Sequence, residues 1–301
     1  MYTNNFFCLS RIAMVMKREI MGNWKKNLFG FLGLYSAFLL TYLGIMAKYD
    51  GYEIARITER TSSDFTQGHF QTFIVITVVA FLYFASRIME NMRTKELRIA
   101  YLMVPATSIE KFVACACYVT VGTVILLIGA SVLAELTHFL FVPLFDLPDA
   151  VNTFVLPQVW EMSCNVFNPF VTYPVQVWDG ESSRIIEQTM FYNWLCVFSI
   201  LLWFHSLYIL GGNIWYKSAF VKTTGIIIAV SLVLAYVVVN AGSLHWNWLY
   251  DMMQHNSSWL TENFMSGAGA LFFFLLIALN WRLGYKLFTR SQVINPKFRL
   301  L

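Results

Sequence analysis

The stretch 112-FVACACYVTVGTVILLIGASVLAEL-136 carries one charged side chain, Glu135, and that only at its far end. As an α-helix rising ~1.5 Å per residue, it would be about 37 Å long, more than the ~30 Å hydrocarbon core of a bilayer. A helix pairs its own backbone donors and acceptors, which hydrocarbon cannot do for it. Working outward, five further apolar runs occupy residues 28–46, 70–86, 194–213, 223–240 and 265–280. A crossing needs roughly 17–25 residues, so the second and sixth of the six runs are short and the third is long enough to tilt.

Composition supports the same reading. Of 301 residues, 58% are hydrophobic and 13% charged, and the mean hydropathy is +0.58. Soluble domains carry about 25% charged residues, and one soluble core stops growing near this chain length. The apolar excess must face lipid. The expected fold is an all-α membrane protein with six transmembrane helices, an N-terminal amphipathic interfacial helix and both termini cytoplasmic.

Orientation follows from the bases, which favour the cytoplasmic side of short loops. With the N-terminus inside, all but four of the 21 Lys and Arg residues fall on inner segments, the exceptions being Lys48, Arg56, Arg60 and Arg184. Of the 17 acids, only Glu19, Glu90, Glu96 and Glu110 lie inside. Shifting the frame by one span reverses the pattern. The expected location is the bacterial inner membrane, N-in and C-in.

The first apolar run begins well inside the chain and has no small-x-small site before Lys48, so no cleaved signal peptide is expected. The expected organisation is an amphipathic cytoplasmic-face helix over 1–27, a six-span domain over 28–287 with an external cap at 138–189, and a cytoplasmic tail at 288–301. The cysteines Cys8, Cys115, Cys117, Cys164 and Cys196 form no framework and read as small apolar residues.

Before the first span, Leu9, Ile12, Ala13, Met16, Ile20 and Trp24 recur at helical spacing, with Arg11, Arg18 and Lys25 opposite. Such a helix lies in the interface, its bases toward anionic headgroups. The most informative segment is 87-RIMENMRTKELRIAYLMVPATSIEK-111. A charged helix is expected to about Ala100, followed by an apolar tip at Tyr101–Val104 and a stop imposed by Pro105 on the residue before it. Thr107 and Glu110 have capping-box spacing, so a new helix should start there and run into the third span. An apolar tip flanked by bases is either a lipid-facing elbow or a docking surface, and the residues alone leave both open.

This segment resembles the cytoplasmic loop between spans two and three of ABC-2 type transporter permeases, where a charged helix, a Pro-x-Ser-like turn and a basic residue opening span three form a coupling helix. The matching elements are Thr94, Leu97, Leu102, Pro105, Ser108 and Lys111. The amphipathic N-terminal helix is similar to that family's connecting helix, and six spans with both termini inside agree. In this chain the longest external loop lies between spans three and four, whereas the family often places it between spans five and six.

The resemblance implies a permease subunit working with a separate ABC-type ATPase, as a homo- or heterodimer, on a hydrophobic or lipid-like substrate. It implies docking through Arg93, Lys95, Leu97, Arg98, Tyr101, Leu102, Pro105, Ser108 and Lys111. No G-x-x-x-x-G-K-[ST], G-x-S-x-G or H-E-x-x-H motif is present. The chain is therefore not expected to be an enzyme or to hold a cofactor, ATP belonging to the partner subunit. Its other expected partners are membrane lipids, and no nucleic acid is expected.

The external loop holds Pro143, Pro148, Pro157, Pro169 and Pro174, and its acids outnumber the single Arg184. It reads as a compact cap, either an ordered lid or a recognition surface. In 245-HWNWLYDMMQHNSSW-259, the tryptophans fit an interfacial belt, and His245, Asp251 and His255 match no strong zinc spacing. Within the spans, His205 and Glu135 are the polar candidates. They read either as a proton relay or as satisfied polar groups. Two other functions compete with the permease, a non-transporting sensor or assembly factor using the cap and a membrane enzyme acting on lipid or glycan precursors.

Overall fold

In the computed structural model, which describes residues 7–49, 59–145, 154–166, 168–170, 172–179, 182–189, 191–245 and 259–290, the chain runs through nine α-helices among the described residues. These are α1 (Leu9–Gly22), α2 (Trp24–Tyr49), α3 (Glu59–Ala85), α4 (Lys95–Leu102), α5 (Ser108–His138), α6 (Val155–Val166), α7 (Phe191–Ile214), α8 (Ala219–His245) and α9 (Trp259–Thr289). Six of them, α2, α3, α5, α7, α8 and α9, are long and apolar enough to cross a membrane. The spans that look short in sequence are not short helices. Polar residues from Glu59 onward extend α3, and α9 continues through Arg282 and Lys286. Hydropathy registers only the hydrocarbon-facing part of each.

The segment between α5 and α7 departs from pure α. In addition to α6 it contains an antiparallel hairpin of β1 (Thr172–Asp179) and β2 (Ser182–Thr189), in register from Thr172↔Thr189 to Asp179↔Ser182. A two-stranded sheet has only edge strands, so Pro174 can stand in β1 with its missing N–H outward.

Two compact units divide at Val166 and Phe167. In the first, α2, α3, α5 and α6 share a core of Phe38, Tyr42, Phe65, Ala80, Leu127, Ala130, Ala134, Val155 and Val159. Ala130 and Ala134 are fully buried, and small residues on a span let neighbouring backbones approach. Polar links fix the packing, with the Tyr35 hydroxyl donating to Thr137 Oγ1 at 3.2 Å and the Tyr118 hydroxyl to Asn27 Oδ1 at 2.6 Å.

The second unit joins α7 to both α8 and α9. Asn280 donates to Ser206 Oγ at 2.9 Å, and Tyr208 and Thr224 share a 2.8 Å hydroxyl bond. A Cβ built on Gly211 would stand 2.0 Å from Thr223 Oγ1, so only glycine permits that approach of α7 to α8. Ser218, at φ 55°, turns the chain between these helices. Outward, Leu232, Val233 and Tyr236 of α8 lie more than half exposed, as lipid-facing side chains must.

Candidate functional site

The segment between α3 and α5 is a rigid elbow. Thr94 caps α4, accepting from the Leu97 N–H at 3.3 Å. The helix begins later than its charged sequence suggests, because a turn and a 3-10 segment, Glu90–Met92, intervene after α3. Helices leave their last four carbonyls without internal partners, and here each has one. Met103 N–H reaches Ile99 O at 3.0 Å, Val104 N–H reaches Tyr101 O at 3.3 Å, Arg18 reaches Ala100 O at 3.1 Å and Lys111 reaches Leu102 O at 2.8 Å.

Past Pro105 the expected capping box is formed. Glu110 N–H donates to Thr107 Oγ1 at 3.3 Å, and Thr107 N–H donates to Glu110 Oε2 at 2.8 Å. The other Glu110 oxygen accepts from Cys8 N–H at 2.7 Å and from Arg11 at 2.9 Å. Inside the bend, the Tyr101 hydroxyl donates to Lys111 O at 3.2 Å and lies 3.0 Å from Cys115 Sγ. Burial first, and then Cys115 and Glu19, push the Tyr101 phenol far above the ordinary range.

Helix α1 clasps this elbow from the side. It buries Ile12 and Val15 against Ala114, with Met16, Val104 and Ala106 around them. Leu9, Ala13, Ile20 and Trp24, expected on the same apolar face, stay exposed. Arg11 and Arg18, read in sequence as headgroup-facing bases, bond instead to neighbouring elements, Arg11 to the buried Glu110 and Arg18 to Ala100 O at the exposed carbonyl end of α4. Glu19, one turn beyond Val15, is buried. It accepts from Asn91 Nδ2 and from Asn23 Nδ2 at 3.3 Å, and burial raises its carboxyl to about 7 against the lowering pull of Arg18 and Lys26. With Tyr118, Asn27 and Phe84 it lines a cavity of about 310 Å³. The signal that could have found Glu19 is an acid at i+7 from Ile12 and i+4 from Val15, on the stripe that packs.

Of the nine docking candidates, Arg93, Lys95, Leu97, Pro105 and Ser108 are exposed and Leu102 is half-buried. Arg98, Tyr101 and Lys111 are buried, with Arg98 donating to Met92 O at 3.3 Å. Ile99, Met103 and Ile109, not among the nine, add apolar surface, Met103 being 78% exposed. The elbow thus divides into an outer surface of Arg93, Lys95, Leu97, Ile99 and Met103 and an inner set that fixes its angle to α5.

Of the intramembrane candidates, Glu135 belongs to the first unit and His205 to the second. The Glu135 Oε1 atom accepts from the Val155 and Leu156 N–H groups at 2.6 and 3.3 Å, capping α6. Its Oε2 lies 4.0 Å from His138 Nδ1, and the Tyr42 ring sits 5.0 Å from the His138 ring and 5.3 Å from that of His69. Sequence reading missed these companions, since Tyr42 comes from α2, His69 from α3 and the capped N–H groups from α6, while His138 lies one turn along α5 itself. His205 is half-buried in α7, beside Ser206 and Tyr208, which bond to neighbouring helices. Among the described residues no group of three or more metal-ligating side chains comes together. Asp251 and His255 lie outside the described residues, as do residues 291–301 of the tail.

The fold and these two clusters define the chain as a multi-pass membrane protein with six candidate spans. Comparisons with protein-family models, with curated proteins and with solved structures return no match.

Proposed function

We propose that this chain is the membrane-spanning permease subunit of an ABC-type transporter, moving a hydrophobic or lipid-like substrate with energy from a separate ATPase. In this reading it lies in the bacterial inner membrane as a homo- or heterodimer, with both termini cytoplasmic. The observation that carries the proposal is the elbow itself. Its outer surface offers apolar side chains following two exposed bases, Arg93 and Lys95, while its inner side is bonded into the start of α5 through Tyr101, Thr107, Glu110 and Lys111. Force applied to Leu97, Ile99 or Met103 would pass into a span and not into a slack loop. Force transmission of this kind needs a packed element with fixed contacts.

The test is co-expression with an ABC-type ATPase encoded beside this chain, followed by purification through one subunit and measurement of ATP turnover. Co-purification and altered turnover support the reading, and neither occurring overturns it. Arg93→Glu with Lys95→Glu should weaken the complex about tenfold, because like charges facing each other across an interface are strongly unfavourable. Arg98 is not a suitable docking probe, since its side chain is buried in the elbow.

A further inference from the structure

The first unit contains a groove of about 630 Å³ between α2 and α3. Its walls are apolar, and small residues on both helices (Gly30, Gly33 and Ala37 on one, Ala80 on the other) open the seam between them. From Gly30 to Ala37 the groove follows about 10 Å of helix axis. At the end where α2 begins and α3 has just finished, Lys26 and Arg87 stand at its mouth. Glu90 holds both, accepting from Lys26 at 3.2 Å and from Arg87 at 2.6 Å. Two cations share one carboxylate there, leaving the mouth net positive.

Hydrogen-bond capacity remains after that pairing. A lysine has three donors and an arginine five. Lys26 spends one on Asn23 Oδ1 and one on Glu90, while Arg87 spends its Nε, one Nη2 proton and one longer Nη1 contact to the Tyr83 hydroxyl. The Arg87 guanidinium also lies over the Tyr83 ring, 5.3 Å from its centroid, which fixes it at the groove's edge.

We propose that this groove is a binding site for one anionic phospholipid, whose phosphate sits on Lys26 and Arg87 and whose acyl chain lies between α2 and α3. Charge complementarity selects the occupant. Basic pockets between spans at the membrane interface suit anionic headgroups, and an apolar seam opening onto hydrocarbon suits a methylene chain. The inference rests on the membrane-spanning fold and is independent of transport. It goes beyond cations reaching singly to the interface, because it requires the groove as well as the charge.

Gly33 supplies a clean probe. A Cβ built there meets nothing within 4 Å, so the side chain of Gly33→Phe starts in open space at the seam. At Gly30 the added atom would meet the Phe84 ring at 2.9 Å, which makes that position unsuitable. The experiment is native mass spectrometry of the purified full chain in mild detergent, titrated with phosphatidylglycerol and with phosphatidylcholine of matched chains. The unsubstituted chain should retain phosphatidylglycerol with about tenfold the affinity of phosphatidylcholine, the size expected when two bases act near the membrane surface.

Lys26→Gln with Arg87→Gln should bring that ratio to about one. Gly33→Phe should lower phosphatidylglycerol retention while its melting temperature stays that of the unsubstituted chain. Equal retention of both lipids by the unsubstituted chain overturns the proposal, whether or not the double variant folds. So does full retention by Gly33→Phe. Displacement of the lipid by millimolar inorganic phosphate also overturns it, since that would make the site one for phosphate without the chain.

Discussion

Glu19 is a carboxyl that the fold has taken out of water, and the consequence is a pH dependence with a definite sign. Its folded value is raised to about 7 from an ordinary 4.5, burial being the largest cause. Between those values the folded chain holds a proton that the unfolded chain has released. Stability is therefore fully present below about pH 4.5 and falls as pH climbs toward 7. At ~1.4 kcal/mol per pKa unit the loss is on the order of 3 kcal/mol. Glu19→Gln, which keeps the oxygen that accepts from Asn23 and Asn91, should flatten this slope. Tryptophan-fluorescence melting in detergent should show the variant several degrees more stable than the unsubstituted chain at pH 8 and nearly equal to it at pH 5. Parallel melting curves at both pH values would remove Glu19 as the cause. This residue also marks a limit of sequence reading. An acid near the N-terminus, ahead of the first span, reads as a solvated charge until the face it shares with Ile12 and Val15 is seen to pack.

At the scale of elements, the elbow was legible because its signals are local. Pro105 disfavours helix at Val104, and Thr107 with Glu110 has the spacing of a capping box, which the structure forms through both bonds. Thr107→Ala should destabilise the chain by about 1 kcal/mol and Thr107→Ser by much less, the usual cost of losing an N-cap. A melting temperature unchanged in Thr107→Ala would mean that the Arg11 and Cys8 contacts to Glu110 suffice to start α5 alone. Less legible were the contacts that cross between elements. Arg11 and Arg18 recur on the polar side of α1, a pattern shared by headgroup-facing bases and by bases that answer acceptors on a neighbouring element. Which of these holds depends on where the carbonyl end of α4 lies, and nothing within α1 encodes that. Glu135 teaches the same lesson. Its partners are the N–H groups of Val155 and Leu156, twenty residues on, with Tyr42 and His138 beside it. The hairpin was missed because the prolines around it argued against helix without arguing for pairing.

At the scale of the whole molecule, the six spans were readable because lipid imposes length and apolarity on every crossing helix at once. The helical lengths were underread wherever polar residues continue a helix beyond hydrocarbon, as from Glu59 in α3. Orientation is a property of the whole chain, for it depends on how the bases are distributed among all the loops. If the N-terminus is inside, α4 faces the cytoplasm and α6 faces outward. Two positions test this without disturbing a packed residue. Cys164 on α6 is exposed, and Lys95 on α4 is exposed as well. In a chain with Cys8, Cys117 and Cys196 changed to serine, a membrane-impermeant maleimide applied to intact cells whose outer layers are permeable to it should label Cys164. The same chain carrying Lys95→Cys and Cys164→Ser should resist labelling until the membrane that holds it is broken. The reverse result would invert every loop together, placing the elbow outside. No cytoplasmic ATPase could then reach it, so this labelling experiment bears on the proposed function as directly as on the fold.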